Sequence, residues 1–109
     1  MSHTIINLGR DFSPYPFGRY RTDGRYSAER FRTEYLVPAL KKDTVTVVLD
    51  DVPSEIGSSF LEEAFGGLVR TERWNLQQLM NRLVIESRRQ DYTIEIMNYI
   101  HQAAVSGED

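Results

Sequence analysis

A chain of 109 residues and 12.6 kDa, with 40% hydrophobic and 27% charged residues, has material for one core and hence one domain, residues 1–109 with a core from about 4 to 105. It contains no cysteine, which excludes a disulfide framework, a thiolate zinc site, an iron–sulfur cluster and a cysteine nucleophile. The net charge of −3 and pI near 5.4 argue against a protein whose main task is neutralising phosphates.

The charge is nevertheless bipolar. Residues 1–42 hold eight Lys or Arg against four Asp or Glu, and residues 43–109 hold five against twelve. The opening MSHTIINLGRD lacks a basic segment followed by a long apolar run, and no stretch approaches about 18 consecutive apolar residues. The expectation is therefore a cytoplasmic chain with no export signal and no membrane span.

In chain order, Thr4 to Leu8 (TIINL) is short and β-branched and reads as a first strand. Residues 9–26 are dense in Gly, Pro and Asp. Asp23-Gly24 is a good two-residue turn, so Phe17–Thr22 and Gly24–Ser27 read as the flanks of a hairpin-like reversal. Ser27 is an N-cap for a helix whose apolar stripe is Ala28, Phe31, Tyr35 and Ala39. Pro38 lacks an N–H and disfavours helix at Val37, so that helix kinks there or stops by Leu36. Thr44 to Leu49 (TVTVVL) reads as a central strand covered on both faces, in a sheet flanked by helices.

A second helix begins near Ser58, with Phe60, Leu61, Ala64, Phe65 and Leu68 at helical spacing and Ser59 and Glu62 in capping-box register. Gly66 and Gly67 either weaken its last turn or admit a close neighbour. Trp74 to Met80 reads as short helix or irregular chain, and Leu83-Val84-Ile85 as a buried strand. Asp91 caps a final helix with Ile94, Met97, Ile100, His101 and Ala104 on one face, before a frayed tail SGED. Strands alternating with helices define an α/β class with a mixed, partly parallel sheet of about four strands packed against helices.

The catalytic inventory is thin. His3, expected in a mobile terminus, and His101, expected on a helix face, have no metal-ligand spacing. A Ser58, His101 and Asp50 set lacks a nucleophile-elbow sequence. Asp50, Asp51 and Glu55 place three carboxylates in one loop, where solvation competes with magnesium binding. No phosphate-cradling glycine motif occurs. The reading is non-enzymatic, with no cofactor.

Two surfaces remain. Arg10, Arg19, Arg21, Arg25, Arg30 and Arg32 interleave with Phe12, Tyr15, Phe17, Tyr20 and Tyr26. That mixture suits nucleic acid, in an accessory role in a mobile element or defence system, or, given the acidic second half, a protein partner. Gly57-Ser58-Ser59 stands where an acidic loop meets a helix whose first amides lack internal partners. A phosphoserine there would add about two negative charges beside Asp50, Asp51 and Glu55 at little expense to the fold.

The segment TVTVVLDDVPSEIGSSFLEEAFGGLVR, read with FGRYRTDGRYSAERFRTEYLVPALK upstream, resembles the STAS-like family of unknown function found in bacteria and their mobile elements. The resemblance spans roughly residues 15 to 105. Its most specific pieces are Ser58-Ser59-Phe60-Leu61 followed by Glu63, Phe65, Gly66 and Leu68, and the arginine- and glycine-rich entry before the first helix. That family is similar in layout to the STAS domains of anti-sigma-factor antagonists, where a strand runs into an Asp-Ser-Ser-Gly-Leu turn and a histidine-kinase-like ATPase phosphorylates the first serine.

By position, Ser58 matches that serine and Ser59 the next residue. Gly57 stands in place of the Asp and Phe60 in place of the Gly. The resemblance implies a small STAS-like regulatory module that binds a protein around Ser58 and Ser59, with Ser58 the phosphorylation candidate and a histidine-kinase-like ATPase the implied partner. The acidic loop and the basic segment add Asp51, Glu55, Arg19, Arg21 and Arg25 as expected partner-binding residues.

Overall fold

In the computed structural model, which describes residues 2–106, the β-branched segments form three strands: β1 His3–Asn7, β2 Thr44–Val48 and β3 Leu83–Glu86. They make one sheet in the order β1-β2-β3, with both pairings parallel. Thr4, Val45 and Leu83 align across it, as do Ile6, Val47 and Ile85. The expected mixed sheet of about four strands is corrected to three parallel strands among the described residues. The segment that would have supplied the fourth, between Phe17 and Ser27, does reverse, but it makes no ladder. The Phe17 N–H donates to the Tyr26 carbonyl at 3.0 Å, Gly18 turns the chain at φ +90°, and Arg21–Asp23 form a single 3₁₀ turn.

A π-helical turn at Leu8–Phe12 follows β1, and four longer helices complete the described chain. Helix α1 runs without a break through Ala28–Phe31, Arg32–Leu36 and Val37–Lys42, and α2 likewise through Ser58–Leu61, Glu62–Gly66 and Gly67–Arg70. Helix α3 is Leu76–Arg82 and α4 is Gln90–Ser106. Ser27 caps α1, its Oγ accepting the Arg30 N–H at 3.2 Å. Pro38 does not stop that helix. The middle segment Arg32–Leu36 is a wide π-turn closed by the Val37 N–H on the Arg32 carbonyl, and this widening just ahead of the proline accommodates its ring and missing donor.

All four helices lie on one face of the sheet. Ile6, Val45, Val47 and Leu83 point into a core shared with Phe31, Leu40, Phe60, Phe65, Leu79, Ile96 and Ile100. The opposite face is open, with Ile5 60% and Val84 54% exposed. The expectation of a strand covered on both faces is thus overturned: β2 alternates, with Val45 and Val47 buried and Thr44, Thr46 and Val48 half-buried. His3 is also placed differently from the expected mobile terminus, since its ring nitrogens hydrogen-bond Thr44 Oγ1 at 2.6 Å and Thr46 Oγ1 at 2.8 Å across the open face.

Helix α4 turns inward a face that overlaps the expected one only in part: Ile100 is buried and Met97 and Ala104 are half-buried, as that face requires. Tyr92, Ile96 and Ile100 are buried, whereas Ile94 is 60% exposed and His101 exposed. Asp91 lies within the helix rather than at its cap. The Tyr92 hydroxyl accepts the buried Ile56 N–H at 2.9 Å, which together with the burial of Ile96 and Ile100 holds this face inward. Of the tail, Ser106 closes α4, and residues 107–109 lie outside the described residues. No helix among the described residues is long and apolar enough to cross a membrane.

Candidate functional site

After β2 the chain loops through Asp50–Ile56 and enters α2 at Gly57, whose extended backbone (φ −66°, ψ 148°) makes it the N-cap. Ser58 and Ser59 are the first two helical residues, and both are exposed. Neither side chain caps the helix, so the Ser59–Glu62 capping box does not form. Glu62 has stronger, charge-assisted partners instead: Arg19 Nη1 and Arg70 Nη1 each donate to it at 2.5 Å. Burial opposes ionisation of Glu62, yet the hydrogen bonds from Arg70 and Arg19 bring its carboxyl below the ordinary range.

The serine pair borders a cleft of about 630 Å³ between the head of α2 and the segment before α1. Pro16, Phe17 and Phe60 give it apolar walls, and Arg19, Asp23 and Glu55 its charges. Phe17 is 71% exposed. The segment carrying Phe17 and Arg19 is strapped to α1, because the Ala28 and Glu29 N–H groups donate to the Gly18 and Arg19 carbonyls at 2.9 Å. These are first-turn amides that α1 itself leaves unsatisfied. Asp23 Oδ2 holds the strap from within, accepting the Arg19 and Tyr20 N–H groups at 3.1 and 2.9 Å. Behind it Phe12 stacks edge-on with Tyr26 and Tyr35 and meets Phe31 at 5.2 Å.

On the α4 side, the Tyr99 hydroxyl donates to Glu95 Oε2 at 2.6 Å. That carboxylate and burial raise the phenol above its usual range. Glu55 is held by Arg89 at 2.6 Å, and the same guanidinium reaches Asp91 at 2.6 Å and lies 4.2 Å over the Tyr92 ring. The hydrogen bond from Arg89 holds the Asp91 carboxyl below its usual range.

Four of the residues singled out in the sequence therefore line one cleft: Ser58, Ser59, Glu55 and Arg19. Three do not. Asp51 accepts from Asn7 Nδ2 at 2.6 Å beside β1, Arg21 pairs with Glu34 at 2.8 Å on the outside of α1, and Arg25 lies over Tyr26 at 5.7 Å. The three loop carboxylates go separate ways, Asp50 accepting the Arg88 N–H at 2.8 Å. Ser58, Asp50 and His101 border three different clefts. Of the basic N-terminal cluster, Arg19, Arg21, Arg30 and Arg32 are paired with glutamates, and Phe12 is buried.

Sequence reasoning missed the ion network behind the cleft. Arg32 and Glu63, both buried, meet where α1 crosses α2: Arg32 Nη1 donates to the Glu63 carbonyl and to Glu63 Oε2, each at 2.7 Å, and Nε donates to Glu72 Oε2 at 2.9 Å. Arg70 adds a bond to Glu63 Oε1 at 3.1 Å, and Arg19 lies 3.5 Å from the same oxygen. Three arginines thus balance three glutamates. The legible trace of this network was Gly66-Gly67, since a Cβ on Gly67 would overlap Arg32 Nη1. Of the two readings of that pair, close approach is the correct one, and the neighbour is a guanidinium rather than a backbone.

A small α/β domain with an exposed serine pair at the head of the helix that follows its central strand is the layout of a STAS-like module. The match to a family model confirms that class: the chain belongs to the STAS-like domain of unknown function (DUF4325), matched over residues 27–87. No curated protein and no solved structure matches the chain. The matched span runs from the cap of α1 to just past β3. Ser58 and the Arg32–Glu63 pair lie inside it, and the strap and α4 lie outside.

Proposed function

We propose that this chain is a non-enzymatic, cytoplasmic regulatory module that docks a protein partner on the cleft at the head of α2 and is switched by phosphorylation of Ser58. The observation that carries the reading is the exposed, uncapped Ser58–Ser59 pair beside a cleft with an exposed aromatic, Phe17, at its lip. A large aromatic beside directional polar groups is the composition of an interaction hot spot. The STAS-like layout points to a histidine-kinase-like ATPase as the partner.

In the switching step the γ-phosphoryl group of a nucleoside triphosphate passes to Ser58 Oγ. A P–Oγ bond forms as the bond from the γ-phosphorus to the bridging oxygen breaks; the hydroxyl proton is released and the nucleoside diphosphate leaves. The added charge, about −2, weakens docking by repulsion and desolvation. The test is affinity capture from the native host with phosphoserine mapping, then titration of the recovered ATPase against wild type, Ser58→Ala and Ser58→Asp. Ser58→Asp binds at least tenfold more weakly; equal binding by all three refutes the switch.

A further inference from the structure

Arg19 differs from the other two arginines of the ion network in what its departure would leave behind. Arg32 is buried and supplies bonds to Glu63 and Glu72, so moving it would take the closest cation from the buried Glu63 carboxylate. Arg70 grips both Glu62 and Glu63 from the far end of α2. Arg19 is attached to both glutamates through Nη1 alone, and among the described residues its Nε and Nη2 make no hydrogen bond. If Arg19 let go, Glu62 would keep Arg70, and Glu63 would keep Arg32 and Arg70.

Arg19 is also the one cation among the residues lining the cleft, beside the carboxylates of Asp23 and Glu55. Its anchor, Glu62, lies four residues after Ser58 on the same helix, hence on the same face one turn away. A phosphoryl group on Ser58 would share the cleft with Asp23, Arg89-bound Glu55 and the guanidinium of Arg19, whose Nε and Nη2 are unused among the described residues, with Glu62 one helical turn away. The planar fork of arginine is well matched to phosphate oxygens.

We propose that Arg19 is the residue that reads the state of Ser58, its guanidinium passing from Glu62 to the phosphoryl oxygens and drawing the strap toward the head of α2. The inference rests on the phosphorylation of Ser58 proposed above, by transfer from a nucleoside triphosphate. It adds that the charge signal is converted into a change in the strap bearing Phe17, so that both walls of the docking cleft respond.

The test uses the full chain with phosphoserine installed at position 58 during translation, so no kinase is needed. Phosphorus NMR follows the second ionisation of the phosphoserine against pH. With Arg19 present the midpoint lies lower than in Arg19→Gln, by about one pH unit, and Arg19→Lys falls between them. In the unsubstituted chain, nitrogen-15 NMR shows the Arg19 side-chain resonance moving on phosphorylation while that of Arg32 stays. Equal midpoints for Arg19 and Arg19→Gln, or an Arg19 resonance that does not move, overturn the proposal. That result would leave the Ser58 switch itself standing, because the switch is decided by partner binding.

Discussion

Gly67→Ala is the substitution for which helix propensity and tertiary structure give opposite signs. Gly67 sits within α2, where on intrinsic preference alanine is favoured over glycine by about 0.8–1 kcal/mol. The structure predicts the reverse. A Cβ at this position would overlap Arg32 Nη1 and lie about 3.0 and 3.1 Å from Arg32 Cζ and Cδ. An exposed arginine would swing aside at little expense, but this one is 3% exposed and fixed by bonds to the Glu63 carbonyl, the Glu63 carboxylate and Glu72.

Displacing that guanidinium breaks a buried pair, which costs about 3–5 kcal/mol. Set against the propensity gain, the net is a loss of about 2–4 kcal/mol, or a fall in Tm on the order of 10–20 °C. Thermal and urea unfolding of four proteins test the cause: wild type, Gly67→Ala, Arg32→Met and the double variant. Once Arg32→Met has removed the guanidinium, Gly67→Ala becomes neutral or stabilising by up to about 1 kcal/mol. A Gly67→Ala protein more stable than wild type, or one losing the same stability in both backgrounds, refutes the reasoning.

Three further outcomes follow from the packing and charges. Gly9→Ala lowers stability by about 2–3 kcal/mol in urea titration, because the methyl would overlap the Asp51 carbonyl and crowd the Val52 nitrogen, which are backbone atoms that cannot rotate away. Val45→Thr, on the inward face of β2, costs about 1–3 kcal/mol, whereas Val84→Thr on the open face stays within about 0.5 kcal/mol; equal losses would refute the one-layer arrangement. Glu62, whose carboxyl titrates below its usual 4.5, contributes stability that is fully present above that pH and is lost as pH falls through the lower folded value. The Tm gap between wild type and Glu62→Gln is therefore wider at pH 7 than at pH 3, and a gap independent of pH refutes this assignment.

How much of this was legible in the sequence depended on whether the deciding interaction was local. The three strands and the starts of α1 and α2 were readable because β-branched runs, the Ser27 cap and the helical spacing of Phe60, Leu61, Ala64 and Phe65 act within a few residues, although the Ser59–Glu62 capping box that also pointed to α2 does not form. The open face was misread although its signal is present: Thr44, Val45, Thr46 and Val47 alternate, and the extra apolar Val48 and Leu49 lend the run a continuous look. Helix α4 carries two overlapping stripes, Tyr92-Ile96-Ile100 and the expected Ile94-Met97-Ile100-His101-Ala104, which share Ile100. The bond that helps hold the first inward joins Tyr92 and Ile56, 36 residues apart. The site divides in the same way. Ser58 stood out locally, whereas the Arg19–Glu62 and Arg32–Glu63 pairs join residues 43 and 31 positions apart, so no window of sequence could match the partners.

The span shared with the family, residues 27–87, is not by this reasoning a folding unit. Cutting the chain there removes Ile6, Leu8 and Phe12 before it and Tyr92, Ile96 and Ile100 after it, all members of the buried core. At about 1.5–3 kcal/mol for each buried side chain, the loss is on the order of 9–18 kcal/mol, as large as the whole stability of a typical domain, about 5–15 kcal/mol. The loss of β1 would also turn β2, now central, into an edge strand with Val45 and Val47 uncovered on that side. A peptide of residues 27–87 is therefore expected to show no cooperative thermal transition and no near-ultraviolet dichroism, whereas residues 2–106 show both. A sharp two-state melt of the shorter peptide would refute this, and with it the view that α4 and the segment carrying the strap, which lines the Ser58 cleft, belong to the structural core and not to its decoration.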